Sequence, residues 1–311
     1  MEFFHKVPHI NFLAVRKLAM GMSVVVLLIA IASLVIHGLN FGVDFTGGVT
    51  VQVSYPAPAD LQTVRSTLAR AGFPDAIVQN FGTPEEVLIR LQPKRGVSGK
   101  DTGNNVMDAL QKVTPQVKLE QVNFVGPEVG KDLAYKGALA FILTLLGILA
   151  YVWLRFERRL AIGGVLATLH DVVFVVGVFS IFHIEFDLNV LAAVLAVMGY
   201  SVNDTVVVFD RIREDFRKLR KGTPFEIINL AINQTLSRTI ITSGTTLLVV
   251  IALLILGGPV LHGFSLALFV GIIVGTYSSI YIASAAAFML GVSKKDLMVR
   301  VKGDQPVDDM P

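Results

Sequence analysis

No cysteine occurs in the 311 residues, so a disulfide framework, a thiolate nucleophile and a cysteine-ligated metal are all excluded. Charge is scarce too. Asp, Glu, Lys and Arg make up 16% of the chain, whereas soluble domains carry about 25%. No nucleophile, base and acid stand at catalytic spacing, and neither a nucleotide fingerprint nor a nucleic-acid pattern is present. The chain is therefore expected to be neither an enzyme nor a nucleic-acid binder, and no cofactor is expected.

What the chain does have is apolar length, with 53% hydrophobic residues. Leu18 to Ile36 is an uncharged run long enough to cross a bilayer, and His37-Gly38-Leu39-Asn40-Phe41 after it does not look like a signal-peptidase site. Five further spans are expected at Leu133–Leu154, Leu160–Phe182, Leu188–Phe209, Thr239–Leu256 and Phe264–Leu290. The links between them are Arg155–Arg159, His183–Asp187, a polar stretch over 210–238, and Gly257–Gly263.

Residues 38–132 differ from everything around them, holding most of the prolines and no long apolar run. Strand alternation is expected over Gly48–Tyr55, with Val49, Val51 and Val53 on one face, and over Ala76–Phe81, Glu86–Leu91 and Gln116–Val125. Helical stripes fall at Pro58–Gly72 and Asn104–Val113, with a Gly/Lys-rich loop from Lys94 to Gly103. The order β-α-β-β-α-β is that of a ferredoxin-like α+β domain. The expected class is thus a polytopic α-helical membrane protein of six transmembrane helices, with one such domain between helices 1 and 2. The expected divisions are 1–37 (tail and first helix), 38–132 (outer domain), 133–290 (helices 2 to 6, with the basic segment 210–238) and 291–311 (tail).

Lys and Arg orient the spans, because they concentrate in cytoplasmic loops. They occur at Lys6, Arg16 and Lys17, in the 155–159 link, repeatedly over 210–238 (Arg211, Arg213, Arg217, Lys218, Arg220, Lys221, Arg238), and at Lys294, Lys295, Arg300 and Lys302; the links at 183–187 and 257–263 have none. Both termini are expected on the cytoplasmic side and 38–132 outside. The basic segment is expected to meet lipid headgroups or a cytoplasmic partner.

Against this apolar background, four polar residues stand together at Ser201, Asn203, Asp204 and Thr205, with Val206 to Phe209 continuing the span beyond them. A charged side chain inside a membrane helix costs roughly 2.5–3.5 kcal/mol on insertion scales, so it marks a functional site by default. Counted from Asp210, Asp204 lies about 9 Å inside the cytoplasmic end. It is either an interfacial carboxylate or a proton carrier. Arg238, at the expected start of the fifth span, is either a snorkelling arginine or the cation facing Asp204. His170 and Asp171 lie about 15 Å into the third span. They form either a polar clamp between helices or a relay. No third ligand stands at metal spacing near them, so no metal site is expected. Gly271 and Gly275, with Ser278 and Ser279, form a small-residue face suited to close helix contact. Gly42, Gly47 and Gly48 around Asp44-Phe45-Thr46 are either a turn needing positive φ or a hinge at the base of the outer domain.

Phe41-Gly-Val-Asp-Phe-Thr-Gly-Gly48 and Gly199-Tyr-Ser-Val-Asn-Asp-Thr-Val-Val-Val-Phe-Asp-Arg-Ile-Arg-Glu214 resemble the SecF family of the bacterial Sec export machinery, as do Thr235–Thr246 and Gly257–Phe264. The resemblance runs nearly the whole length. It implies a partner, SecD, and a joint architecture similar to the resistance-nodulation-division superfamily of proton-driven transporters. It implies action beside the SecYEG channel, the SecA motor and YajC in the bacterial inner membrane, with the proton-motive force promoting export of preproteins. It further implies a periplasmic location for 38–132, movement of that domain, and a proton path that includes Asp204 and Arg238. From the residues themselves, Asn203, His170 and Asp171 join the candidate path. Two other functions remain open at this point: a structural subunit without proton transport, and half of a small-molecule or lipid exporter.

Overall fold

Six helices are long and apolar enough to cross a membrane: Phe12–Ile36, Pro127–Arg155, Arg158–Ile181, Leu188–Lys218, Pro224–Leu256 and Val260–Met289. They appear in a computed structural model that describes residues 8–92, 99–219 and 221–293. Lys6, Lys94, Arg220 and the tail lysines and arginine from Lys294 onward, all named above, lie outside the described residues.

In chain order, α1 (Arg16–Ile36) leads through β1 (Asn40–Phe41) and the single-turn α2 (Val43–Thr46) into the outer domain. That domain comprises β2 (Gly48–Ser54), α3 (Leu61–Arg70), β3 (Ile77–Phe81), β4 (Thr83–Leu91), α4 (Gly99–Gln111) and β5 (Lys118–Val125). The sheet order is β3-β4-β2-β5, and every neighbouring pair is antiparallel. Val49, Val51 and Val53 share one face, as the alternation predicts, and bury against Val64 and Leu68 of α3 and Val106 and Leu110 of α4. The β3–β4 turn is tighter than the predicted Gly82–Glu85 loop. Gly82 at φ +82 reverses the chain by itself, and Phe81 pairs with Thr83. Part of the predicted loop at 94–103 is also helical, since α4 begins at Gly99.

The membrane helices are α5 (Pro127–Arg155), α6 (Arg158–Ile181), α7 (Leu188–Lys218), α8 (Pro224–Leu256) and α9 (Gly258–Ser278). Between α6 and α7 lies β6 (Glu185–Phe186). It pairs in parallel with β1, so the two links lie side by side. The last span widens into a π turn at Ser279–Ala283 before α10 (Ser284–Met289).

Three boundaries correct the sequence expectation. Helix α7 does not stop at Asp210. Its charged turns are sustained by pairs three and four residues apart, Arg211 with Glu214 (2.8 Å) and with Asp215 (3.5 Å), while Ile212 and Phe216 stay buried. Helix α8 starts fifteen residues before Thr239, at Pro224, where Thr223 and Glu226 cap each other's backbone and proline costs no hydrogen bond. The segment 210–238 is therefore the root of a helical hairpin. Basic side chains at this end of the bundle are partly neutralised by neighbouring acids, Arg155 of the preceding link by Asp210 (2.8 Å) and Arg213 by Glu157 (3.3 Å). Finally, Gly257–Gly263 is not a loop, because α9 begins at Gly258 with φ +67.

Candidate functional site

Helices α6, α7 and α9 form the buried middle of the bundle. About half of each apolar stretch is covered, against 11% for α5 and 17% for α8. The close approach of α7 and α9 follows from glycine. A methyl group at Gly271 would overlap Val197, and one at Gly275 would lie 3.1 Å from Ser201 Cβ. The Gly271/Gly275 face therefore presses the polar turn of α7 onto α9.

Two carboxylates sit in that seam. Asp171 is fully buried. Its Oδ1 faces His170 Nδ1 at 2.9 Å, and its Oδ2 accepts from Ser201 of α7 and from Ser278 of α9 (2.7 Å). Asp204 is 7% exposed. Its Oδ1 accepts from Thr239 Oγ1 of α8 at 2.6 Å, and its Oδ2 accepts from Ser279 Oγ. Ser201 precedes Asp204 by three residues, so the two carboxylates stand about one turn, roughly 4.5 Å, apart along α7. Consecutive residues of the last span, Ser278 and Ser279, hold one carboxylate each.

The direct partners of Asp204 are hydroxyls, and among the described residues no Lys or Arg side chain comes within ion-pair distance of either acid. A hydroxyl can donate to a carboxylate and accept from a protonated carboxyl, so this cage suits both forms. A fixed arginine would favour only the ionised one.

Arg238 occupies the middle of α8, not a helix start, and immediately precedes Thr239, the Asp204 partner. Its side chain is exposed on the surface of the chain and makes no ion pair with Asp204. Thr242 and Thr245, also exposed, continue the polar stripe along α8. Asn203 points outward and does not join the cage. Of the residues singled out from the sequence, the fold thus gathers Asp171, His170 and Asp204, sets Arg238 beside them and leaves Asn203 out. Ser278 and Ser279, which sequence reasoning treated only as packing, are the residues of the last span that bond the two carboxylates. The available signal was a run of four hydroxyl side chains, Thr276-Tyr-Ser-Ser279, within an apolar span.

The glycines after the first span form a clamp. Gly47 (φ +71) and Gly48 (φ +143) adopt backbone that side chains resist. A Cβ on Gly47 would sit 2.9 Å from Pro127 Cα, and one on Gly48 would sit 2.7 Å from the Leu91 carbonyl. Gly42 has ordinary φ. It is small because Glu185 Oε1 would lie 2.9 Å from its Cβ. Asp44 Oδ2 accepts from the Leu188 backbone N–H (3.1 Å), capping α7 from a different element. Sequence reasoning did not single out Arg90. It reaches down from β4 to Glu185 (3.2 Å), Asn40 (3.3 Å) and the Phe41 carbonyl (3.4 Å), and is itself 6% exposed. The sheet face bearing Thr50, Gln52 and Leu88 overlooks a cavity of about 460 Å³ whose floor includes Asp44, Glu185, Asp187 and His262. Burial pushes the Glu185 carboxyl up from its usual range against the opposing charge of Arg90, and burial raises Asp187 as well. Among the described residues no three His, Asp or Glu side chains gather as a metal would require.

The model of the family described as "Protein export membrane protein SecD/SecF, C-terminal" matches residues 105–293, more than half of the chain, and the SecD/SecF GG motif matches residues 32–56. The chain belongs to the SecD/SecF family. Among family members, it is 50% identical to the protein translocase subunit SecF of Vibrio alginolyticus over 306 residues, covering 97% of both chains. It is 46% identical to that of Escherichia coli O157:H7, covering 94% of this chain and 91% of the other, and 46% identical to that of Pseudomonas aeruginosa, covering 98% and 99%. The crystal structure of SecDF, a translocon-associated membrane protein from Thermus thermophilus, is similar with a TM-score of 0.83 and 37% identity. The match takes in 91% of this chain and 39% of that one. A SecDF structure in a super-membrane-facing form is similar at 0.69 and 36% identity, covering 93% and again 39%. The GG-motif match falls on the segment whose glycines make the clamp, and the C-terminal match contains both buried carboxylates.

Proposed function

We propose that this chain is the SecF half of a proton-driven accessory complex for preprotein export, and that it works with SecD beside SecYEG, SecA and YajC in the bacterial inner membrane. In this reading both termini are cytoplasmic, residues 38–132 form a periplasmic ferredoxin-like domain, and the chain is a transport subunit without enzymatic activity. The sheet order β3-β4-β2-β5 with two helices on one face supports the ferredoxin-like description. The Lys/Arg pattern supports the orientation. A polar stripe at Arg238, Thr242 and Thr245 on an outer face of the bundle supports a second membrane half, because lipid would not solvate it.

One observation carries the mechanism: Asp204 is buried mid-helix with hydroxyls as its direct partners. Such a carboxyl can bind and release a proton without breaking an ion pair. Each change of state reverses donors on α8 and α9 and so alters how these helices sit against α7. Asp44 caps α7 and the Gly47–Gly48 clamp abuts Pro127 at the start of α5, which links helix shifts to the base of the outer domain. Arg238 adds a nearby positive charge that opposes proton uptake when close and permits it when drawn away. Asp171, about one turn further from the cytoplasmic side, supplies the outer station.

The test is Asp204→Asn in the assembled complex. Proton-motive-force-dependent export in inner-membrane vesicles is expected to fall at least tenfold at unchanged complex yield. Export at the wild-type level would overturn the reading. A structural role is the rival, and the way Asp171 ties α6, α7 and α9 together favours it. On that account Asp204→Asn and Arg238→Met lower the yield of complex rather than the activity per complex.

A further inference from the structure

Ser278 and Ser279 each carry one hydroxyl proton and have two acceptors in reach. Ser278 Oγ lies 2.7 Å from Asp171 Oδ2 and 3.1 Å from the Gly275 carbonyl. Ser279 Oγ reaches Asp204 Oδ2 and, at 3.0 Å, the Thr276 carbonyl. While a carboxylate is ionised, its serine donates to it. Once the carboxyl is protonated it becomes the donor, the serine oxygen accepts, and the serine proton turns to the carbonyl one turn back. No proton leaves the serine; only the direction of donation reverses.

Those carbonyls belong to adjacent residues at the mouth of the π turn. Gly275 O already accepts the Ser279 backbone N–H, so a second donor there changes the load on the last regular turn. The π turn is held from outside. Ser284 Oγ donates to the Ser279 carbonyl at 2.9 Å, and α6 seats against it only because residue 163 is glycine, where a Cβ would come 2.6 Å from the Ala283 carbonyl oxygen. Single π turns inside α-helices are rare and concentrate at functional sites.

We propose that Ser278 and Ser279 are positioning residues that couple the protonation of Asp171 to that of Asp204 through the π turn at Ser279–Ala283. This rests on the proton-driven reading above and adds the element that links the two stations. The other titratable or charged groups on elements packed around α7 here are His170 on α6, Arg238 on α8, Tyr277 on α9 and Tyr281 in the π turn itself. Tyr277 is already engaged with the Ala19 carbonyl (2.8 Å) and Ser23 (3.1 Å) of α1.

The experiment measures the pH profile of proton-motive-force-dependent export in vesicles carrying the complete complex. Ser279→Ala removes a donor that favours the charged carboxylate more than the neutral acid, so the profile should move to higher pH by about one unit. Ser278→Ala should move the same profile in the same direction, although it touches the other carboxylate. The double variant should move it by less than the sum of the two, as coupled sites do. Ser279→Thr keeps the hydroxyl and should keep the wild-type profile. An unmoved profile in Ser279→Ala, or strictly additive shifts, would overturn the coupling. If Asp204→Asn is inactive while the serine variants are unshifted, the coupling fails and the proton-driven reading stands. If Asp204→Asn is fully active, both fail. Should Ser279→Ala not assemble, Ser284→Ala leaves both hydroxyls in place and loosens the turn. An unchanged profile in that variant would equally sink the role of the π turn.

Discussion

Two places in this protein hold carboxylates away from water, and they do so in opposite ways. In the membrane seam, Asp171 and Asp204 are met by serine and threonine hydroxyls, with a histidine beside Asp171. At the junction with the outer domain, Glu185 is met by the guanidinium of Arg90, which also gathers Asn40 and the Phe41 carbonyl. Hydroxyls can partner either protonation state, donating to the carboxylate or accepting from the acid, whereas an arginine is a permanent charge with donors only. The first arrangement can change protonation state at small structural cost. The second fixes one docking geometry. The proposed conversion of proton movement into domain movement would need both kinds of contact, and here they are separated in space.

The contrast can be broken first in the seam. Asp171→Asn should reduce proton-driven export at least tenfold while leaving the outer domain docked, as read by unchanged hydrogen-exchange protection of β1 and β6. Next in size is Arg90→Met. Removing one partner of a buried pair leaves the other charge stranded and costs about 3–5 kcal/mol. Protection of Asn40–Phe41 and Glu185–Phe186 should drop sharply, with the sheet core around Val51 and Ile89 unaffected. Gly47→Ala should cost about 1–3 kcal/mol, because its φ of +71 with ψ of 157 is a region essentially reserved for glycine. The clash with Pro127 adds to that, visible as a lowered melting temperature of the detergent-solubilised complex.

The smallest effect expected is on pH dependence at the junction. Burial raises the Glu185 and Asp187 carboxyls, so the docked state binds protons more readily than an undocked state in which both meet water. Docking is therefore strongest at acidic pH, below the ordinary carboxylate range, and weakens as pH rises through the raised values. Protection of β6 should accordingly increase on mild acidification, and Glu185→Gln should flatten that response, leaving the part due to Asp187. A response of opposite sign would mean that Arg90, not burial, dominates Glu185.

Much of this design is legible in the sequence, for physical reasons that also explain the gaps. Apolar runs reveal six spans because length and composition are local properties. Asp171 and Asp204 stand out because an acid in such a run is costly. The extent of α7 and α8 is hidden, because a charged helical hairpin such as Arg211–Glu214–Lys218 looks like a polar loop unless its spacing of three and four is weighed. The Thr223-Pro-Phe-Glu226 cap was the overlooked cue. Arg238 was misplaced for the same reason. The parallel pairing of β1 with β6 and the grip of Arg90 join segments far apart in sequence, which no window along the chain can show. The π turn leaves no residue signature at all, so Ser278 and Ser279 read as packing until a backbone is available.

Gly47 lies against Pro127, and Gly48 pairs with Val125, so the outer domain leaves and rejoins the helical scaffold through neighbouring residues. An insertion with touching ends imposes no span on its host. The whole of 49–124 is then a cassette: a different domain, or a short glycine bridge, could be spliced between these two points without pulling α2 away from α5. The membrane half and the outer half can differ in size, provided the glycine clamp at their shared doorway and the seat of Arg90 on Glu185 are kept.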